Sequence, residues 1–185
     1  MQFLDSSIYS NTKIDFMANN LNYLINTEKL KTVLIYSDLK GEGKSSFIAS
    51  IMPRLSDLFS KRILILEMTD LSNDSLQESL EMRKGTNEFV QNTKFKNIDI
   101  MLIDNNDLNN IVTQEVSDFY DLILINSKNK NSDNVINEIP KIKIDGAIAI
   151  RTAKTLGSKA LNNTNLLRDK DIPIVGFVLN EVKNV

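Results

Sequence analysis

The sequence predicts an α/β fold: a doubly wound, mostly parallel sheet with helices on both faces. Three observations carry this. The apolar runs are short and continuous rather than alternating, which marks strands buried on both faces. The segments between them place apolar residues at helical spacing. A glycine-containing loop joins the first apolar run to the first helical segment, and sheets of this class bind ligands at such strand ends.

Taken in order, residues 8–26 read as a helix laid against the sheet, within a helical segment 1–30 packed on a single domain 1–185. Val33-Leu34-Ile35-Tyr36 is the first strand. Residues 45–59 form the first crossover helix, with a break expected at Pro53, because a proline inside a helix removes a backbone bond and costs about 3 kcal/mol. Further strands are expected at 63–66, 98–103, 122–125, 147–150 and 174–179. Weaker helical patterns cover 76–82, 135–139 and 156–167. No repeat, linker or low-complexity stretch interrupts the chain.

Composition removes whole classes of chemistry. Hydrophobic residues make up 42% and charged residues 25%, as in a globular protein. Net charge is -2, which argues against a broad electrostatic grip on nucleic acid. The chain has no Cys and no His, so disulfides, thiolate or imidazole metal sites and a histidine base are excluded. No apolar run approaches the roughly 20 residues of a membrane-spanning helix, so direct membrane insertion is not expected. The start, MQFLDSSIYS, lacks the basic and apolar regions of a signal peptide. The expected location is the cytoplasm.

The sharpest chemical signal is Tyr36-Ser37-Asp38-Leu39-Lys40-Gly41-Glu42-Gly43-Lys44-Ser45-Ser46. It follows a strand and opens a helix, the setting a phosphate-binding loop needs. Gly41 and Gly43 let the backbone turn its N–H groups toward a polyphosphate, and the helix N-terminus adds partial positive charge. Lys44 would reach the β and γ phosphates, and the Ser45 hydroxyl would sit on Mg²⁺. The strict pattern has Gly or Ala where this chain has Asp38, a carboxylate expected to face the phosphates.

With KGEGKSS come KRILILEMTD, YDLILINSKN and GFVLNEV, in that order. This series resembles the bacterial tyrosine kinases (BY-kinases) of capsule and exopolysaccharide export, among the deviant P-loop ATPases of the MinD and ParA type. The resemblance implies a P-loop NTPase fold and ATP or ADP with Mg²⁺ as ligands. It assigns Lys40, Gly41, Glu42, Gly43, Lys44, Ser45 and Ser46 to the nucleotide. Asn180 falls where the family reads adenine. Glu67 takes the place of the first Asp of the second motif, and Thr69 that of its second Asp, with Asp70 one position late. Asn126 takes the place of the Asp that holds Mg²⁺ through water. The metal set implied is thus Ser45, Glu67 and Asn126, and the catalytic set Lys44, Glu67 and Asp70.

The departures shape the functional expectation. An amide at Asn126 withdraws one negative charge from a hard cation that prefers carboxylates, and losing such a partner typically costs 10–100-fold. Glu67 reaches one methylene too far, and Ser127-Lys128-Asn129 replaces the family's TPP. The family's E-x-x-R-x-x-R becomes Thr12, Asp15 and Ala18, so a ring of the family type is not expected, although self-association remains open. The tyrosines are only Tyr9, Tyr23, Tyr36 and Tyr120, with no tail cluster. The expectation is a nucleotide-binding domain with weak or lost phosphoryl transfer. It would regulate or assemble a polysaccharide-export complex, docked on the cytoplasmic tail of a membrane protein that supplies any membrane association. Beside it stand an active ATPase or tyrosine kinase using Asp70 or Asp38 as replacement carboxylate, and a MinD- or ParA-type localisation ATPase. Asp121 reads as a turn or helix end, Arg151 as a strand-end group near the ligand crevice, and Asp104 and Asp107 as a polar loop.

Overall fold

The structure, a computed structural model, describes residues 11–39, 41–58, 61–68, 76, 81, 90–103, 114–127, 143–152 and 162–180. Its strands are β1 (Thr32–Tyr36), β2 (Ile63–Met68), β3 (Val90–Asn92), β4 (Ile98–Ile103), β5 (Leu122–Asn126), β6 (Gly146–Thr152) and β7 (Ile174–Asn180). The helices described are α1 (Asn11–Thr27), α2 (Lys44–Leu58), α3 (Gln114–Phe119) and α4 (Asn162–Asp169). The strands form one seven-stranded sheet in the order β3-β4-β2-β5-β1-β6-β7. Every neighbouring pair is parallel except β3 and β4.

The continuous apolar runs are explained by the two cores. On one face, Val33, Ile35, Ile63, Ile65, Leu122 and Leu124 pack under Ala18, Leu21 and Ile25 of α1 and Phe47, Ile51 and Leu55 of α2. On the other, Leu34, Leu64, Leu66, Ile123 and Ile125 meet Val116 of α3 and Leu167 of α4. Because both faces are covered, successive residues of a strand must all be apolar. The doubly wound expectation therefore holds, with helices on both faces.

Two carboxylates secure the strand starts. Asp145 accepts hydrogen bonds from the backbone N–H of Lys31 and Thr32, each 3.0 Å. Asp121 accepts from the N–H of Arg62 at 2.9 Å, so its role is structural, as the sequence indicates, but it joins β5 to the start of β2.

Two expectations change. Helix α2 runs unbroken through Pro53. Proline there removes the N–H that would bond the carbonyl of Ala49, yet Ile51, Met52 and Leu55 are fully buried and hold the helix to the sheet. Strand β3 was not foreseen: it is a three-residue antiparallel edge, half exposed, with none of the long apolar runs that reveal its neighbours. The described part of the last helix, Asn162–Asp169, overlaps the expected 156–167, of which 156–161 lie outside the described residues. The segment 135–139, Asp104 and Asp107 lie outside the described residues. Of 76–82, only Leu76 and Glu81 are described, with Leu76 helical and buried.

Candidate functional site

The C-terminal ends of β1, β2, β5, β6 and β7 converge on the loop between β1 and α2. Gly41 (φ 82°) and Gly43 (φ 93°) both occupy the left-handed region that residues with a Cβ rarely adopt. Their turns bring the chain back to open α2 at Lys44, and the first helical bond runs from the Phe47 N–H to the Gly43 carbonyl at 2.8 Å. Helix α2 carries no acidic residue in its first turn. The positive end of its dipole is thus unopposed by a first-turn carboxylate, as an anion site requires. Lys40 lies outside the described residues.

Lys44 is buried, and its Nζ donates to the Ser37 hydroxyl at 2.9 Å, folding the ammonium back over the loop. Burial lowers its pKa to about 8, against the opposing pull of Glu67 and Glu42. Ser37 is a site residue the sequence reading passed over; its only signal was its place directly after the strand.

Beside Lys44, the sheet register sets Glu67 at the end of β2 directly opposite Asn126 at the end of β5. Asn126 Nδ2 donates to Glu67 Oε2 at 2.6 Å and to Ser45 Oγ at 3.1 Å. Burial raises the Glu67 pKa to about 7, although Asn126 and Lys44 both favour the anion. The sequence-derived metal set is therefore brought together, but not as a cation cradle. Two of its oxygens, Glu67 Oε2 and Ser45 Oγ, converge on an amide nitrogen that donates to both. Asn126 Oδ1 is buried without a hydrogen-bond partner. A single carboxylate with an N–H₂ group wedged beside it does not fit Mg²⁺, which takes oxygen ligands in near-octahedral geometry. Among the described residues no group of three or more acidic residues could hold a metal ion. Asp70 lies outside the described residues.

Asp38 is placed differently from expectation. Its side chain is 5% exposed and its carboxylate pairs with Arg151 at 3.4 Å, on the β6 and α4 side of the loop. Burial lifts its pKa to about 6 despite Arg151, with Glu42 pushing the same way as burial. Arg151 also donates to Thr164 Oγ1 at 2.9 Å and stands 5.4 Å over the Phe177 ring. A buried ion pair thus occupies the position where the strict loop pattern has a small residue.

Glu42 is 2% exposed, and its carboxylate points behind the loop. Oε2 accepts from the Leu39 N–H at 2.8 Å and Oε1 from the Thr152 N–H at 3.1 Å. Asn180 Nδ2 donates to the Glu42 carbonyl at 2.9 Å, leaving Asn180 Oδ1 buried without a hydrogen-bond partner. Thr152 went unnoticed in the sequence because its part is played by backbone.

The solved structures supply the decisive comparison. The tyrosine kinase domain of BceF superposes with a TM-score of 0.67 at 14% identity, over 93% of this chain and 77% of that one. The P-loop NTPase fold is shown. The MinC:MinD cell division complex of Aquifex aeolicus matches at TM-score 0.57 and 18% identity, over 83% of this chain and 69% of that one. A nucleotide-binding protein of Archaeoglobus fulgidus in complex with ADP matches at 0.54 and 14% identity, over 88% and 70%. No family model matches the chain. No curated protein matches it. Among the described residues no helix is long and apolar enough to cross a membrane.

Proposed function

We propose that this chain binds ADP or ATP through the loop 41–46 and transfers phosphoryl groups weakly or not at all. The observation that carries the reading is the Asn126 amide donating to both Glu67 and Ser45, where catalysis would need oxygens gathered on a cation. Phosphoryl transfer rests on positioning and on neutralising charge, so a loop that grips phosphates without a metal cradle binds more than it turns over. Gly41 and Gly43 shape the loop, the first turn of α2 offers N–H groups, and Lys44 supplies the cation. The active-enzyme reading needs a second carboxylate beside Ser45, and Asp38 is engaged with Arg151 instead.

The role that follows is regulatory: a nucleotide-sensing part of a polysaccharide-export assembly, held at the membrane by a partner's cytoplasmic tail. The likeness to a tyrosine kinase domain and the motif order support this reading.

Calorimetry with ADP and ATP, with and without Mg²⁺, tests it. Micromolar-range binding that Mg²⁺ changes less than about threefold, and that Lys44→Ala removes, is the expected result. Binding strictly dependent on Mg²⁺ would restore the enzyme reading, and absence of binding would reject a nucleotide site.

A further inference from the structure

We infer that Glu42 and Asn180 are positioning residues: a clamp behind the phosphate loop that aims its N–H groups at a nucleotide's phosphates. The inference rests on the nucleotide reading above. A carboxylate inside a phosphate loop would repel its ligand if it faced inward. Here the positive-φ glycines on either side, Gly41 and Gly43, turn Glu42 to the rear of the loop. There its two oxygens tie the Leu39 N–H, at the loop's entry, to the Thr152 N–H at the end of β6. Two backbone N–H groups donating to one carboxylate make a fixed support.

Peptide planarity gives the clamp its consequence. In a trans peptide the C=O and the following N–H point in opposite directions. Asn180, at the end of β7, holds the Glu42 carbonyl on the rear side. The Gly43 N–H is therefore aimed the other way, into the concave side of the loop. Asn180 sits so close that a Cβ on residue 43 would collide with its amide, so the glycine is required by packing as well as by φ. One carboxylate and one amide thereby fix the loop to both β6 and β7.

The test uses the whole chain, ADP calorimetry and amide hydrogen exchange without nucleotide. Glu42→Met removes both acceptors and is expected to weaken ADP about ten- to a hundredfold. Glu42→Gln keeps one acceptor and should fall between it and the parent, a partial rescue that also decides the matter if Glu42→Met does not fold. The Leu39 and Thr152 amides should exchange faster in both variants. ADP affinity within twofold of the parent, or unchanged exchange at Leu39 and Thr152, overturns the clamp. A parent that binds no ADP overturns the nucleotide reading instead, and the clamp is then decided by exchange alone: faster rates support it, unchanged rates reject it.

Discussion

At the scale of single residues, the site is defined by Asn126. Its amide stands 2.6 Å from Glu67, a carboxylate whose pKa burial raises to about 7. Asn126→Asp would place two carboxylates in one buried pocket, where like charges cannot both ionise cheaply. The expected outcome is a less stable free protein whose ADP binding gains at least tenfold from Mg²⁺, read by calorimetry. Glu67 and Asp38 also set a pH dependence. Both have folded pKa values above the ordinary carboxylate range, about 7 and about 6. Between pH 4.5 and 7 these two groups therefore hold more protons in the folded chain than in the unfolded one, and their contribution to stability falls as pH rises. Glu67 alone contributes on the order of 3 kcal/mol to that fall. Thermal melts should show a lower Tm at pH 7.5 than at pH 5.5, with Glu67→Gln flattening the slope; a Tm that climbs over this range would contradict it.

At the scale of elements, Asp145 shows how much rests on one side chain where strands begin. Burial pushes its pKa up, but hydrogen bonds from Thr32 and Lys31, together with the Lys143 ammonium, outweigh this and leave it lowered. Asp145→Ala would leave those N–H groups at the start of β1 without their acceptor, at a cost of about 1–3 kcal/mol. Differential calorimetry at neutral pH should show a Tm lower by about 3–10 °C. Such contacts explain what the sequence could and could not reveal. Runs such as Ile63 to Leu66 and Leu122 to Ile125 disclose their strands because burial on both faces leaves no room for polar residues. Gly41, Gly43 and Lys44 disclose the loop because positive φ and a reachable cation restrict residue choice. The short edge strand β3 carries no such restriction. Nor does the helix at Pro53, where packing of α2 overrides local propensity. The partners of Asp38, Glu42 and Asn126 were hidden for another reason: each is set by sheet order, which brings residues more than 50 positions apart into contact.

At the scale of the whole molecule, sheet order makes the site and the stability of the sheet inseparable. Strand β1 lies between β5 and β6, and the loop that follows it is tied to β6 through Glu42 and to β7 through Asn180. Ser45 joins the same loop to β5 through Asn126, which in turn reaches β2 through Glu67. A nucleotide held by this loop thus bears on strands from both halves of the sheet, and no part of the site can open without loosening their ends. Unfolding of the described sheet should then be one cooperative event in which ligand is released. At a hundred times its dissociation constant, a ligand bound only to the folded state adds about 2.7 kcal/mol. For a chain of this size that corresponds to a rise in Tm of about 5–11 °C. Calorimetric scans with ADP should show the single transition moving upward by that amount, and Lys44→Ala should abolish the shift. A scan in which ADP splits the transition, moving one part and leaving another in place, would mean that the loop is tied to only one side of the sheet.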